Sequence, residues 1–184
     1  TTTLTFNIIA NPIEITAASD SKVYDGSALT NSGSSITDGA LVTSHSYSVK
    51  VTGTQTGVGS SANVASAAII TDNTDTDVTA NYDISYVDGS LEITKATLTI
   101  TPEASQSKEY GSADPQLNYT FSGELSGETP AFKYSLSRVP GEDVGDYAIT
   151  LGSLALTDNG NFKAINYAME LNVGVNFDIT KAPL

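Results

Sequence analysis

A short acidic stretch is the part of the sequence whose residue types come closest to binding chemistry. Asp72, Asp75 and Asp77 place three carboxylates close together, and oxygen ligands on a loop suit a hard cation such as calcium. The stretch lacks the spacing and the distal glutamate of a helix-loop-helix calcium site. We therefore interpret it as a solvated turn before the next strand, with calcium as the alternative and no other cofactor indicated.

The residue patterns of known catalytic sites are missing from the sequence. His45 is the single histidine, and no nucleophile motif accompanies it. The glycines at 57–59 lack the following helix and the acidic residue of a dinucleotide-binding loop. Paired acids such as Glu142 and Asp143 would need a cleft between them to hydrolyse a glycoside. We predict no catalytic residue and no enzymatic activity.

Two tyrosines and two lysines recur just before predicted turns. Tyr24 and Tyr110 follow Lys22 and Lys108 at the same spacing, and the chain contains no tryptophan, the most usual sugar-stacking residue. We predict that the tyrosines fasten a turn to a sheet, with ligand contact as the alternative. An isopeptide crosslink would need each lysine buried beside an asparagine and a carboxylate, and turn anchoring explains the recurrence equally well.

These recurring residues belong to an internal repeat. The sequence KVYDG at 22–26 returns as KEYG at 108–111, and the tyrosines lie 86 residues apart (110 − 24). The run at 81–95 returns at 166–181, and its final lysines are again 86 residues apart (181 − 95). A shared register predicts two copies of one structural unit. Tandem copies of a domain are typical of extended surface proteins.

Alternating apolar and polar residues predict β-strands along most of the chain. Phe132, Tyr134 and Leu136, for example, share one face of a predicted strand. Each copy is expected to contain five or six short strands, and the abundant threonine, valine and isoleucine favour that structure. The fold class is therefore all-β or β-rich α+β.

Turn and junction signals complete this prediction. Asp88-Gly89 lies between two alternating runs and predicts a tight hairpin. The segments 38–44 and 62–68 are the only helix candidates. One copy leads into the next across Lys95-Ala96 without a flexible linker, and so short a connection restricts rotation. We expect a stiff, elongated pair of domains.

The overall composition excludes several classes of partner. The 184 residues include 8 basic and 21 acidic side chains, which gives a net charge of −13. This field repels nucleic acid and anionic membrane surfaces, so neither is an expected partner. No apolar run approaches the roughly 18–20 residues of a membrane helix, so direct membrane insertion is not expected. The lack of cysteine excludes disulfides and thiol chemistry.

The repeat also sets the predicted domain boundaries. We assign residues 12–95 to the first repeat and 96–181 to the second. The FNII sequence at 6–9 matches FDIT at 177–180 with an offset of 171 (177 − 6), close to two periods. Residues 1–11 are therefore expected to be the tail strand of a preceding repeat or the start of the first domain, and 182–184 the start of a following repeat. A piece of a longer array would lack any export signal of its parent.

The motifs resemble two kinds of repeat from bacterial adhesins. KVYDG at 22–26 resembles the signature of the YDG-type repeat. KEYG at 108–111, followed by Asp114-Pro115 and LNY at 117–119, resembles the YGX type of the MBG domain. Both copies share an ending of Asn-Tyr, a glycine-containing turn and then Leu/Phe-x-Ile-Thr-Lys. The first copy departs from the second by its additional Asp25 and its longer Gly/Ser/Thr-rich middle.

The resemblance implies small β-grasp-like domains strung in tandem, in secreted or wall-attached bacterial proteins, and it supplies no catalytic residues. Immunoglobulin-like β-sandwiches are the runner-up fold, since short alternating strands suit them too. We expect a stiff stalk or spacer at the bacterial cell surface or in a secreted protein, with neighbouring repeats of the same chain as its partners. The alternatives are direct binding of a host glycan or mucin-like protein, and an accessory domain of an extracellular carbohydrate-active enzyme.

Overall fold

The computed structural model describes residues 7–183. Apart from two single-turn 3₁₀ helices, at Thr79–Asn81 and Ala164–Asn166, every regular element in that range is a β-strand. The chain is therefore all-β. Both helix candidates are wrong: 62–68 lies within one long strand, and 38–44 is a strand end followed by a loop. The fold divides into two compact units, of which one ends at Thr94 and the other begins at Lys95.

The first unit contains seven strands, more than the five or six predicted. They are β1 (Asn11–Ala17), β2 (Asp20–Val23), β3 (Ser34–Gly39), β4 (Ser46–Thr52), β5 (Gly59–Thr71), β6 (Tyr82–Val87) and β7 (Gly89–Thr94). They form two sheets, with strand orders β3-β1-β6 and β2-β7-β5-β4. β1 pairs in parallel with β6, and β2 pairs in parallel with β7.

The core of the first unit lies between these two sheets. Alternation in β1 turns Ile13 and Ile15 inward, where they meet Ala65 and Ile70 of β5. Ile15 and Ile70 are fully buried. Because each fully buried aliphatic side chain contributes roughly 1.5–3 kcal/mol, this face holds the two sheets together.

The predicted hairpin at Asp88-Gly89 is wrong. β6 and β7 do not pair with each other, because they belong to different sheets. Gly89 lies where the chain passes from one sheet to the other. A Cβ atom on Gly89 would lie 2.3 Å from the carbonyl oxygen of Ala18 and 2.6 Å from that of Ala17. Glycine is therefore needed at this position for a close backbone approach, not for a turn.

The second unit contains nine shorter strands. They are β8 (Ala96–Pro102), β9 (Ser107–Glu109), β10 (Tyr119–Ser122), β11 (Ala131–Lys133), β12 (Ser137–Arg138), β13 (Gly145–Thr150), β14 (Ala155–Thr157), β15 (Tyr167–Leu171) and β16 (Asn176–Thr180). The sheet order β10-β8-β15 corresponds to β3-β1-β6 of the first unit. The order β9-β16-β13-β12 corresponds to β2-β7-β5-β4. β11 and β14 form a separate pair.

The middle strands of the two units differ in one bend. In the first unit, β5 is continuous but contains a bulge at Ala67, whose φ is 51°. The pairing register between β5 and β4 shifts at this bulge. In the second unit the same strand is broken into β13 and β14, with Gly152 at φ 55° between them. Tyr134 lies in the corresponding break between β11 and β12, at φ 65° and 71% exposed. The predicted shared face of Phe132, Tyr134 and Leu136 is therefore wrong.

The ends of the described chain add little regular structure. The tail strand predicted within residues 1–11 lies mainly outside the described residues, and residues 7–10 form no strand. Ile8 and Ile9 are 97% and 81% exposed. At the centre of the chain, Lys95 is the single residue between β7 and β8.

A buried amide ties the first unit together. Asn63 in β5 is fully buried, and its Nδ2 donates hydrogen bonds of 2.8 Å to the carbonyl oxygens of Ala18 and Asn31. Its Oδ1 has no hydrogen-bond partner within residues 7–183. A Cβ atom on Gly53 would lie 2.7 Å from that oxygen, so glycine leaves the space that Asn63 fills.

Removing this amide should destabilise the protein. We expect Asn63→Ala to lower the free energy of unfolding by about 1–3 kcal/mol, because two loops lose their hydrogen bonds to the strand. Urea denaturation followed by circular dichroism measures the change. The matched control is the neighbouring Val64→Ala on the exposed side of β5, with an expected change within about 0.5 kcal/mol. Equal losses in the two variants would contradict a tying role for Asn63.

Candidate functional site

The motif of the first unit builds a lysine-anchored turn. Lys22 Nζ donates hydrogen bonds to Asp25 Oδ1 at 2.7 Å and to the carbonyl oxygen of Ser27 at 2.8 Å. Tyr24 is only 9% exposed, and its backbone N–H bonds the carbonyl of Thr94. The Lys22 side chain therefore closes the turn, and the Tyr24 backbone fastens the turn to the end of β7.

The motif of the second unit uses its lysine in another way. The Lys108 side chain is 4% exposed, and its Nζ lies 2.7 Å from Asp114 Oδ1 and 2.5 Å from Glu142 Oε2. The backbone N–H of Tyr110 bonds the carbonyl of Thr180, as Tyr24 does with Thr94. The Tyr110 ring, however, is 52% exposed. The backbone of Tyr110 therefore fastens the turn to β16, but its ring is not a buried plug, and Lys108 with its carboxylates holds the turn instead of the ring.

Arg138 completes this cluster. Its guanidinium binds both oxygens of Asp114, at 2.8 and 2.9 Å, and Oε1 of Glu142 at 2.8 Å. The guanidinium carbon also lies 4.9 Å from the ring centre of Tyr147 and 5.4 Å from that of Phe177. The cations of Lys108 and Arg138 therefore alternate with the carboxylates of Asp114 and Glu142. This cluster lies above the rings of Tyr147 and Phe177, which face each other on paired strands.

The charges in this cluster hold one another ionised. Hydrogen bonds from Arg138, and then from Lys108, lower the pKa of Asp114 from 3.8 to about 2. Lys108, followed by Arg138, lowers the pKa of Glu142. Asp114 in turn raises the pKa of Lys108. An ionised amine is not a nucleophile, and the two partners of Lys108 are carboxylates, so the geometry does not favour an isopeptide crosslink.

A second recurring pair, Asn-Tyr, was not assigned a role from the sequence. The Tyr82 hydroxyl accepts a 3.0 Å hydrogen bond from Val42 N–H and lies 2.7 Å from His45 Nδ1. The Tyr167 hydroxyl accepts one from Leu125 N–H at 3.2 Å and donates to Glu128 Oε2 at 2.6 Å. Each buried tyrosine thus holds a distant loop to the core. The recurrence of Asn-Tyr in the sequence was the signal for it.

The acidic stretch folds into turns that use its own carboxylates. Asp72 Oδ1 accepts hydrogen bonds from the hydroxyl and backbone N–H of Thr74, and the Thr74 hydroxyl lowers the Asp72 pKa most. Asp77 Oδ1 accepts one from Thr79 N–H. Among residues 7–183, no three His, Cys, Asp or Glu side chains are grouped so as to hold a metal ion. Calcium binding by Asp72, Asp75 and Asp77 therefore gains no geometric support.

Among the open clefts on the first unit, two have similar volumes, and no sequence motif predicts them. One, of about 380 Å³, is lined by Ser19, Asp20, Ser21, Ser90 and Glu92. The other, of about 390 Å³, is lined by 30–32 and 51–53. The first presents hydroxyl and carboxylate groups, and the second presents hydroxyl and amide groups beside Val51. These polar groups can hydrogen-bond a polar ligand. Within the described residues, no helix is long and apolar enough to cross a membrane.

Comparison with known protein families gives one match, which lies within the second unit. Residues 98–176 match the family model of the MBG domain (YGX type), from the first strand of that unit to the start of its last. MBG domains occur in surface proteins. The match covers less than half of the chain and stops short of the first unit. No curated protein and no solved structure matches the chain.

The charge cluster should make stability depend on pH. Because the Asp114 pKa falls from 3.8 to about 2 on folding, its ionised form stabilises the protein above pH 3.8 and loses that effect as pH falls towards about 2. We expect Asp114→Asn to be less stable than the unaltered protein at neutral pH, with a difference that shrinks across this window. Asp114 is 45% exposed, so solvent screening keeps the difference modest.

Urea denaturation at a series of pH values measures this effect. The control is Asp143→Asn, which removes a carboxylate next to the cluster whose side chain takes no part in the ion pairs described above. It should lower the free energy of unfolding less than Asp114→Asn does at neutral pH. If the two variants instead show the same pH dependence, the network does not stabilise the fold.

Proposed function

We propose that this chain is a non-catalytic tandem module of a bacterial cell-surface adhesin, in which two copies of one domain act as a stiff spacer. The first copy would be of the YDG type, beside the MBG domain of the second unit. One observation carries the proposal: the two main sheets of each unit have corresponding strand orders, and only Lys95 separates the last strand of one unit from the first strand of the other.

The fold of each copy can be proposed more closely. Parallel pairing of the first and last segments supports a β-grasp-like assignment. Two sheets around one core, with no α-helix in residues 7–183, support the β-sandwich instead. We favour the sandwich, because a β-grasp normally packs a helix against its sheet.

The candidate catalytic residues take part in hydrogen bonds and ion pairs within the fold, and this supports a non-enzymatic role. His45 is bonded to Tyr82, and Glu142 is bonded to Lys108 and Arg138. The net charge of −13 supports an exposed, soluble setting, because like charges keep neighbouring molecules apart. An extracellular location fits this surface and the occurrence of MBG domains in surface proteins.

Small-angle X-ray scattering tests the spacer role. We expect the unaltered chain to give the scattering of one extended, well-defined particle, because a one-residue connection restricts rotation. Inserting Gly-Gly-Ser after Lys95 should broaden the distribution of interatomic distances, since such linkers are flexible.

The control for this experiment is the same insertion between Ser126 and Gly127, in an exposed loop of the second unit. It should leave the distance distribution close to that of the unaltered chain. A compact or freely hinged unaltered chain would contradict the spacer role, as would an insertion after Lys95 that changes nothing.

A second candidate function is direct binding of a host glycan, and the cleft lined by Ser19, Asp20, Ser21, Ser90 and Glu92 favours it. Ser90 N–H bonds Ser19 Oγ at 3.0 Å, which holds the two walls in place. Serine hydroxyls and two carboxylates offer several acceptors and donors for sugar hydroxyls. Binding of a host protein by the same surface would require a larger contact area.

A glycan array tests this second candidate. We expect any bound glycan to be lost in Glu92→Gln, because a carboxylate accepts stronger hydrogen bonds than an amide. Asp88→Asn removes a nearby exposed carboxylate outside the cleft and should leave binding unchanged. If the unaltered chain binds no glycan on the array, or if both variants bind equally well, the cleft is not a glycan site.

A further inference from the structure

The first and last segments of each unit pair in one unbroken register. In the first unit, Ile13 lies opposite Ile84 and Lys22 lies opposite Ile93. Both pairs are 71 residues apart (84 − 13 and 93 − 22), although they lie in different sheets. β1 with β2, and β6 with β7, therefore run side by side as one parallel ribbon that crosses from sheet to sheet.

The second unit has the same ribbon. Leu98 lies opposite Met169, and Lys108 lies opposite Ile179. The separation is again 71 residues (169 − 98 and 179 − 108). β8 with β9 therefore runs parallel to β15 with β16, so the register is a property of both units.

The ribbon stays closed where it crosses between the sheets. In the first unit, Gly89 brings the two backbones into contact beside Ala18, and Ser90 N–H bonds Ser19 Oγ at 3.0 Å. In the second unit, the crossing is longer. Asn172 N–H bonds the Ile100 carbonyl at 2.8 Å at one end of it.

The terminal strands are also held on both sides. β1 lies between β3 and β6, and β7 lies between β2 and β5. In the second unit, β8 lies between β10 and β15, and β16 lies between β13 and β9. Neither the first nor the last strand is an edge strand, so neither can leave its sheet by losing a single neighbour.

This arrangement decides how tension acts on a unit. The chain enters at the start of β1 and leaves at the end of β7, and in a parallel ribbon these points lie at opposite ends. Pulling on them slides one strand along the other. The backbone hydrogen bonds run across the strands, so they are loaded together. If both points lay at the same end, the bonds would break one after another.

We infer that the parallel ribbon is a mechanical clamp, through which each unit resists unfolding when the chain is stretched. This further function deepens the proposed spacer role and takes its biological meaning from it. The first unit has six registered pairs between β1 and β6 and four between β2 and β7. The second has five and three, and a longer crossing. The second unit therefore yields at the lower force.

Single-molecule force spectroscopy on the full chain tests the clamp. The chain has no cysteine, so introduced cysteines provide unique attachment points. Ala10→Cys with Lys95→Cys loads the ribbon of the first unit in shear. Ala10→Cys with Ala80→Cys peels the same ribbon from one end, since Ala10 and Ala80 line one small cleft at the start of β1 and β6.

At equal loading rate, the shear geometry should at least double the unfolding force of the peeling geometry. A third pair, Lys95→Cys with Lys181→Cys, loads the second unit in shear and should give a force between these two. Forced unfolding reports the unfolding barrier rather than the equilibrium stability, so the comparison isolates geometry. Equal forces in shear and peeling would overturn the clamp.

A substitution at the crossing provides the second test. Gly89→Val places a side chain against the Ala18 carbonyl and should lower the shear force while leaving the peeling force unchanged. Asp88→Val puts the same side chain one residue earlier, at an exposed position, and should leave both forces unchanged. If Gly89→Val does not fold, the comparison of attachment points still decides the matter.

The two proposals can fail separately. An extended particle by scattering, with equal forces in both pulling geometries, would remove the clamp and keep the spacer. A strong shear geometry in a freely hinged chain would keep the clamp and remove the spacer.

Discussion

Each unit depends on the parallel pairing of its first and last segments, held at a constant separation of 71 residues. Backbone N–H and C=O groups must be paired when they are buried, and this ribbon pairs them in both sheets at once. It also turns Ile13 and Ile15 towards the core from one sheet and Leu91 and Ile93 from the other. The remaining strands add to its two sides, so the ribbon sets the position of both sheets.

The recurring residues of the chain secure this ribbon. Lys22 and Lys108 fix the turn after the second strand, and Tyr82 and Tyr167 fix a loop beside the start of the penultimate strand. The second unit replaces a simple lysine turn by a four-charge cluster centred on Arg138. Buried cations are tolerated there because each carboxylate partner compensates their lost hydration.

A function based on architecture follows from these contacts more directly than one based on chemistry. The MBG match covers the second unit, and the first unit repeats its strand order with different turn chemistry. What the two units share is therefore the parallel pairing of their first and last segments. The two clefts described above lie on the first unit.

The sequence by itself determined a β-rich fold, most strand positions and the two-copy register, because alternation and repetition can be read along the chain without knowing which strands pair. It failed at Asp88-Gly89, where a hairpin signal marks a crossing between sheets, and at Tyr110, whose ring is exposed and not packed against the sheet. Only the tertiary structure decided the parallel ribbon and the cluster around Arg138. The physical reason is distance along the chain: paired strands 71 residues apart, and Lys108 with Glu142, meet only after folding.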